Sequence, residues 1–291
     1  MKVCTSRQKA RNLTIRLTIA AEIASQGQAF SRKRVDSDKK RKLETTIAAL
    51  QDRWGSKAVG RLPAGRTKAI PHVPTGFPAL DEALVVGGLP RGRISEISGI
   101  PSSGMATIAL RIVASAQAQK SMAIYIDLEQ NFDPGYAARC GLALEQLVLV
   151  RPYDVAQALA ITQDFILGDE GNLLIFDASS NLLVEPRSVQ ALTTTLGRLI
   201  SPLSRTQCLL LFLTSLPANS SPARADDPVN VALAHFATIR LFIQRERWVY
   251  RQRDIDGYQA QVLVVKNKLG PAGRKISITV TEIDDVNKVD D

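Results

Sequence analysis

The chain has 291 residues, 45% of them hydrophobic, and a formal charge of +9. No apolar run approaches the roughly 18 to 20 residues needed to cross a membrane, so no membrane partner is expected. Three widely spaced cysteines (Cys4, Cys140, Cys208) and only two histidines (His72, His235) argue against a disulfide framework or a structural zinc site.

The charge is uneven: through Arg66 there are 16 Lys+Arg against 5 Asp+Glu, a net of +11, and the remainder has 21 against 23, a net of −2. Residues 1–35 are rich in Arg, Ser, Thr and Ala with one acid, Glu22, and are expected to form a flexible basic extension. An organelle transit peptide or a start placed too far upstream fits the same composition, so a cytoplasmic location is expected with an organellar one as the alternative. The densest bases are Arg32, Lys33 and Arg34, then Lys39, Lys40, Arg41 and Lys42. Clustered cations release counterions from phosphates and support salt-sensitive, sequence-independent binding to nucleic acid, while a solvated helix face or solubilising tail has equal weight. Over 36–62, Leu43, Ile47, Leu50 and Trp54 fall at helical spacing before Gly55, which predicts an N-terminal helix with an apolar stripe.

A linker with Pro63, Gly65, Pro71 and Pro74 opens a core expected over 63–284, followed by a short tail, 285–291. In it the pattern alternates: strand 94–98, helix 105–117, strand 123–127, helices near 134–140 and over 155–167, strand 173–177, helix 189–199, then strands 209–214, 239–244, 261–266 and 276–280. Strands joined by helical crossovers predict an α/β fold with a mainly parallel central sheet flanked by helices, and a ligand site beyond the carboxyl ends of the strands.

The first of these strands runs into Gly99-Ile100-Pro101-Ser102-Ser103-Gly104-Met105-Ala106-Thr107. This is the glycine frame of a phosphate-binding loop with its two reactive positions replaced. A working loop carries Lys, which reaches the β- and γ-phosphates, and then Ser or Thr on Mg²⁺. Met105 has no charge and Ala106 no oxygen; Thr107 is a poor substitute, being turned by about 100° around the helix. ATP or ADP binding through the loop is expected, with Mg²⁺ binding weakened and hydrolysis impaired.

The surrounding segments resemble the RecA family of recombinases. They are Thr75-Gly76-Phe77-Pro78-Ala79-Leu80-Asp81, Gly87-Gly88-Leu89-Pro90-Arg91-Gly92-Arg93, Tyr125-Ile126-Asp127-Leu128-Glu129, Asp133-Pro134-Gly135-Tyr136-Ala137, Leu173-Leu174-Ile175-Phe176-Asp177 and Val264-Val265-Lys266-Asn267-Lys268, in consistent order over roughly 36 to 280. The resemblance implies that Glu129 stands where attacking water is prepared, that Asp177 is the acid normally linked to Mg²⁺, and that Asp133 and Tyr136 contact adenine. It also implies that the helix over 36–62 is an oligomerisation segment packed on a neighbouring subunit, a helix folded onto its own core being equally expected, and that Lys266 and Lys268 reach a neighbouring subunit's nucleotide. Thr214 and Ser215 replace the Asn-Gln pair that senses the γ-phosphate, and the first DNA-binding loop is short. The second, near Pro217 to Val229, has Arg224 as its only base, and little chain follows Val280 for a C-terminal DNA-gathering domain.

The resemblance therefore implies a DNA repair and damage-tolerance (SOS-type) accessory protein, similar to the ImuA group, with single-stranded DNA, further copies of itself or other RecA-like subunits, or a translesion polymerase complex as partners. Two alternatives stand: a DNA-dependent ATPase using Lys266 or Lys268 of a neighbour, and a nucleotide-binding scaffold that never contacts DNA.

Overall fold

A computed structural model describes residues 38–56, 58–60, 69–168, 172–183, 185–217, 228–251 and 254–281. Arg32, Lys33, Arg34 and Arg224 lie outside the described residues. The chain divides into two compact units, residues 1–67 and 68–291. In the first, helix α1 spans 38–54 and Gly55 ends it at φ +87°, donating its N–H to the carbonyl of Gln51 at 2.7 Å. Lys39, Lys40, Arg41 and Lys42 are exposed on its first turn.

In the second unit a two-stranded ribbon joins β1 (His72–Val73) to β2 (Leu89–Pro90), on either side of the short helix α2 (Pro78–Ala83). The main sheet is made of β3 (Ile94–Gly99), β4 (Ala123–Asp127), β5 (Leu147–Val150), β6 (Leu173–Ser179), β7 (Leu209–Ser215), β8 (Ile239–Arg251), β9 (Asp254–Asn267) and β10 (Lys275–Thr281). These eight strands lie in the order β10-β9-β8-β3-β7-β6-β4-β5. All pairings from β8 through β5 are parallel, and β9 and β10 add antiparallel strands at one edge. Its helices are α3 (Met105–Ala118), α4 (Pro134–Arg139), α5 (Val155–Gly168), α6 (Ser180–Leu183), α7 (Pro186–Thr206) and α8 (Pro228–Phe236).

Strict alternation along the inner strands sends side chains to two separate cores. Leu173, Ile175, Leu209, Leu211 and Leu213 pack on one face, beneath α3. Leu174, Phe176, Leu210 and Phe212 pack on the other, beneath α5 and α7. Phe176 and Phe212 are register partners with ring centroids 4.9 Å apart. Both faces being covered explains why these strands read as continuous apolar runs. From β3 the chain crosses through α3 to β4, beyond β7 and β6, and later returns to place β8 on the other side of β3. The carboxyl ends of β3, β7, β6 and β4 therefore converge beside the loop after Gly99, at the reversal of strand order where α/β sheets hold ligands.

Candidate nucleotide site

Gly99 and Gly104 are glycines for steric reasons. A Cβ on Gly99 would sit 2.4 Å from Ser103 Oγ and 2.9 Å from the carbonyl of Ile243. Gly104 adopts φ +90°, and a Cβ there would strike the Tyr258 ring, 2.2 Å from its hydroxyl. Ser102 also takes a positive φ, +63°. The loop is therefore a tight turn that opens α3, and a helix N-terminus after such a turn is suited to an anion. Ser103 is 2% exposed, and its hydroxyl has no hydrogen-bond partner among the described residues.

The loop floors an open cleft of about 590 Å³. Ser102, Ser103, Gly104, Met105, Ala106 and Thr107 line it from the loop, Glu129 and Asp133 from beyond β4, Asp177 from β6, and Tyr125, Tyr136 and Ser215 complete the wall. Residues spread over the sequence are thus brought together. Met105 both borders the cleft and packs into the core beneath α3.

One oxygen of Asp177 is already engaged. Tyr125, buried on β4, donates its hydroxyl to Asp177 Oδ2 at 2.5 Å. Tyr125 is the register partner of Ile175, so Asp177 lies two residues further along on the same face. Burial raises Asp177 to about 6 against the pull of the Tyr125 hydrogen bond, and the charges of Asp127 and Glu129 push the same way as burial. Burial also drives the Tyr125 phenol well above its ordinary value, with the Asp177 charge adding to it. With the methyl of Ala106 on the loop side, the residues present do not fit Mg²⁺, and the described residues contain no cluster of three His, Cys, Asp or Glu able to hold a metal.

Glu129 lies in the bend after β4, where its Oε1 accepts the N–H of Ser179 at 3.0 Å. That bend is fixed by Asp127, fully buried, which accepts the N–H groups of Asn131 and Phe132 at 3.1 and 3.0 Å and faces Arg151 Nε at 3.4 Å. Asp133 caps α4 by accepting the Tyr136 N–H at 3.0 Å. Tyr136 is held by its hydroxyl, 2.6 Å from Thr107 Oγ1, and by the Arg139 guanidinium 5.5 Å from its ring centroid. Lys266 and Lys268 do not line the cleft. They donate to backbone carbonyls at the end of α8: Lys266 to Ala234, and Lys268 to His235 at 3.3 Å. Burial and the neighbouring Lys268 and Arg240 charges bring Lys266 down to about 8.

Two features escape a reading by motif. Tyr258 on β9 lies on Gly104 and donates to its carbonyl at 3.3 Å, and burial pushes its phenol up to about 12. It lines a smaller cavity of about 290 Å³ that includes Arg111, Arg139, Arg245 and Trp248 in its wall and shares Ser102, Gly104, Thr107 and Tyr136 with the cleft. On β8 a register shift between Arg245 and Arg247 reverses the strand's alternation. It lets the Arg245 guanidinium stack 4.1 Å from the Trp248 ring centroid, with Arg247, Tyr250 and Arg251 following on the same strand. A run of Arg interleaved with Trp and Tyr was the available signal.

A glycine loop at the switch point of a mainly parallel sheet, with Asp127 closing β4 and Asp177 near the carboxyl end of β6, defines a phosphate-loop core. Residues 41–285 match the family model described as the RecA N-terminal domain. Protein RecA of Aquifex pyrophilus is 31% identical over 250 residues, covering 81% of this chain and 72% of that protein. Protein RecA of Chloroherpeton thalassium is 28% identical over 271 residues (88% and 76%), and that of Herpetosiphon aurantiacus 30% over 263 (84% and 73%). The chain belongs to the RecA family.

Proposed function

We propose that this chain is a RecA-family accessory protein of DNA repair and recombination that binds an adenine nucleotide without hydrolysing it and also binds single-stranded DNA. One observation carries the reading: a tight glycine turn, with Ser102 and Gly104 both at positive φ, opens α3, while Met105 and Ala106 lack the charge and the metal oxygen that phosphoryl transfer requires. Glu129 keeps its place in the cleft wall, but the transition state it would serve has no cation among the described lining residues. Membership of the RecA family supports the DNA repair and nucleotide-binding parts of the proposal. The basic residues of α1 and the Arg245–Trp248 strand support single-stranded DNA as a partner. Self-assembly and a translesion polymerase complex are further partners in this reading.

The test is ATP turnover by the purified chain and by a Glu129→Gln variant, each with and without single-stranded DNA. Equal background rates in all four are expected. A DNA-stimulated rate that Glu129→Gln abolishes would replace this reading with that of an active ATPase.

A further inference from the structure

We propose that the cleft takes a nucleoside diphosphate free of metal in preference to a triphosphate, and that Tyr125 reinforces this by engaging one oxygen of the acid that would otherwise support a cation. The inference rests on the nucleotide-binding reading above and specifies its ligand.

Charge is divided across the loop. On the cleft side the described lining residues include three carboxylates, Glu129, Asp133 and Asp177, and neither Lys nor Arg. On the other side, sharing Ser102, Gly104, Thr107 and Tyr136 as a common wall, the smaller cavity carries Arg111, Arg139 and Arg245 and no carboxylate among its described residues. Arg111 Nε is buried there without a hydrogen-bond partner among the described residues. A two-phosphate ligand lying on the loop N–H groups, with the unpartnered Ser103 hydroxyl beneath it, has guanidinium groups on one flank. A third phosphate extends to where Lys and metal belong in a working loop and meets Glu129 and Asp177 instead. Like charges in a partly enclosed cleft repel more strongly than in bulk water, so the third phosphate weakens binding.

Tyr125 makes the exclusion of metal structural. Asp177 Oδ2 already accepts its hydroxyl at 2.5 Å, an interaction fixed by the β4–β6 register and buried beneath the cleft. Restoring a hydroxyl at position 106 alone therefore leaves Oδ2 of the opposing acid engaged. Releasing Asp177 requires removal of the Tyr125 oxygen as well, and Phe preserves the ring packed 4.8 Å from Phe132.

The test measures ADP and ATP affinities of the full chain by calorimetry in Mg²⁺ and in EDTA, well above pH 6 so that Asp177 is ionised. The expected result is ADP binding that changes less than twofold between the two buffers, with ATP at least tenfold weaker. Ala106→Thr should leave the affinity for ATP insensitive to Mg²⁺, whereas Ala106→Thr with Tyr125→Phe should make it at least fivefold tighter in Mg²⁺. Mg²⁺-dependent binding by the unmodified chain, or ATP tighter than ADP, would overturn the diphosphate inference while leaving nucleotide binding intact. Mg²⁺ dependence in Ala106→Thr alone would overturn the role of Tyr125. No binding of either nucleotide would overturn both the inference and the reading beneath it.

Discussion

Asp177 and Tyr136 are the residues whose surroundings make the sharpest claims. The carboxyl of Asp177 titrates near 6 in the folded chain against an ordinary 3.8, burial being the main cause. A raised carboxyl value means that the folded state holds the proton more tightly than the unfolded one. The stability this contributes is full below about 3.8 and lost as the pH climbs through about 6. Asp177→Asn removes the titration and keeps an oxygen for the Tyr125 hydroxyl. Urea unfolding should give similar stabilities for the two proteins at acid pH, and at slightly alkaline pH a variant more stable by on the order of 1–2 kcal/mol. A less stable variant at alkaline pH would mean that the ionised carboxylate is the favoured form. Tyr136 presents an aromatic edge of the cleft, steadied by Thr107 and Arg139. Its replacement by Ala should weaken ADP by about 1 kcal/mol, the scale of one aromatic contact, and leave pyrophosphate affinity unchanged. Equal losses for both ligands would assign Tyr136 to support of the loop through Thr107.

Among the elements, β8 carries the consequence least visible beforehand. Beyond Ile243 its residues are mostly exposed or half-buried, and the bulge gathers Arg245 and Trp248 onto one face. Bases stack on such platforms regardless of sequence. Trp248→Ala should therefore weaken single-stranded DNA binding by on the order of 1 kcal/mol, measured by fluorescence anisotropy; an unchanged affinity would remove this strand from the DNA surface. The same strand explains where sequence patterns fade. The buried strands, such as Leu209–Ser215, were legible because both faces are apolar, but β8 was expected to stop at Gln244, where its charged, exposed half begins. The four-residue β5 is only partly buried and was too short to register. Helix α7 runs on to Thr206 through Pro202, at which a sequence reading stops the helix, and the hydroxyl of Thr206 donates to the Pro202 carbonyl at 3.2 Å. Helix α8 begins at Pro228, inside the segment expected to be a DNA-binding loop. In the site, the loss at Met105 and Ala106 was readable from the motif. The Tyr125–Asp177 bond was not, because it joins residues 52 apart through strand register, which no linear spacing encodes.

At the scale of the whole molecule, the proposed DNA partner rests on the charge imbalance. The net of +11 through Arg66 against −2 beyond it makes the N-terminal segment the main source of long-range attraction for an acidic polymer. Lys39, Lys40, Arg41 and Lys42 occupy the first turn of α1, so a truncation at residue 42 would cut into that helix as well as remove charge. Replacing these four with Gln keeps good helix formers and deletes only the cations. If the segment tracks phosphates, log affinity for single-stranded DNA falls linearly with log salt, and the quadruple variant should lower that slope by up to about 3, at roughly 0.7 per lost contact. Binding should weaken uniformly across DNA sequences, because phosphate contacts carry no base readout. An unchanged slope with intact binding would transfer the DNA surface to the core, where the Arg245–Trp248 strand is the next place to look. Undetectable binding by the unmodified chain at low salt would favour the scaffold that holds nucleotide and leaves DNA alone.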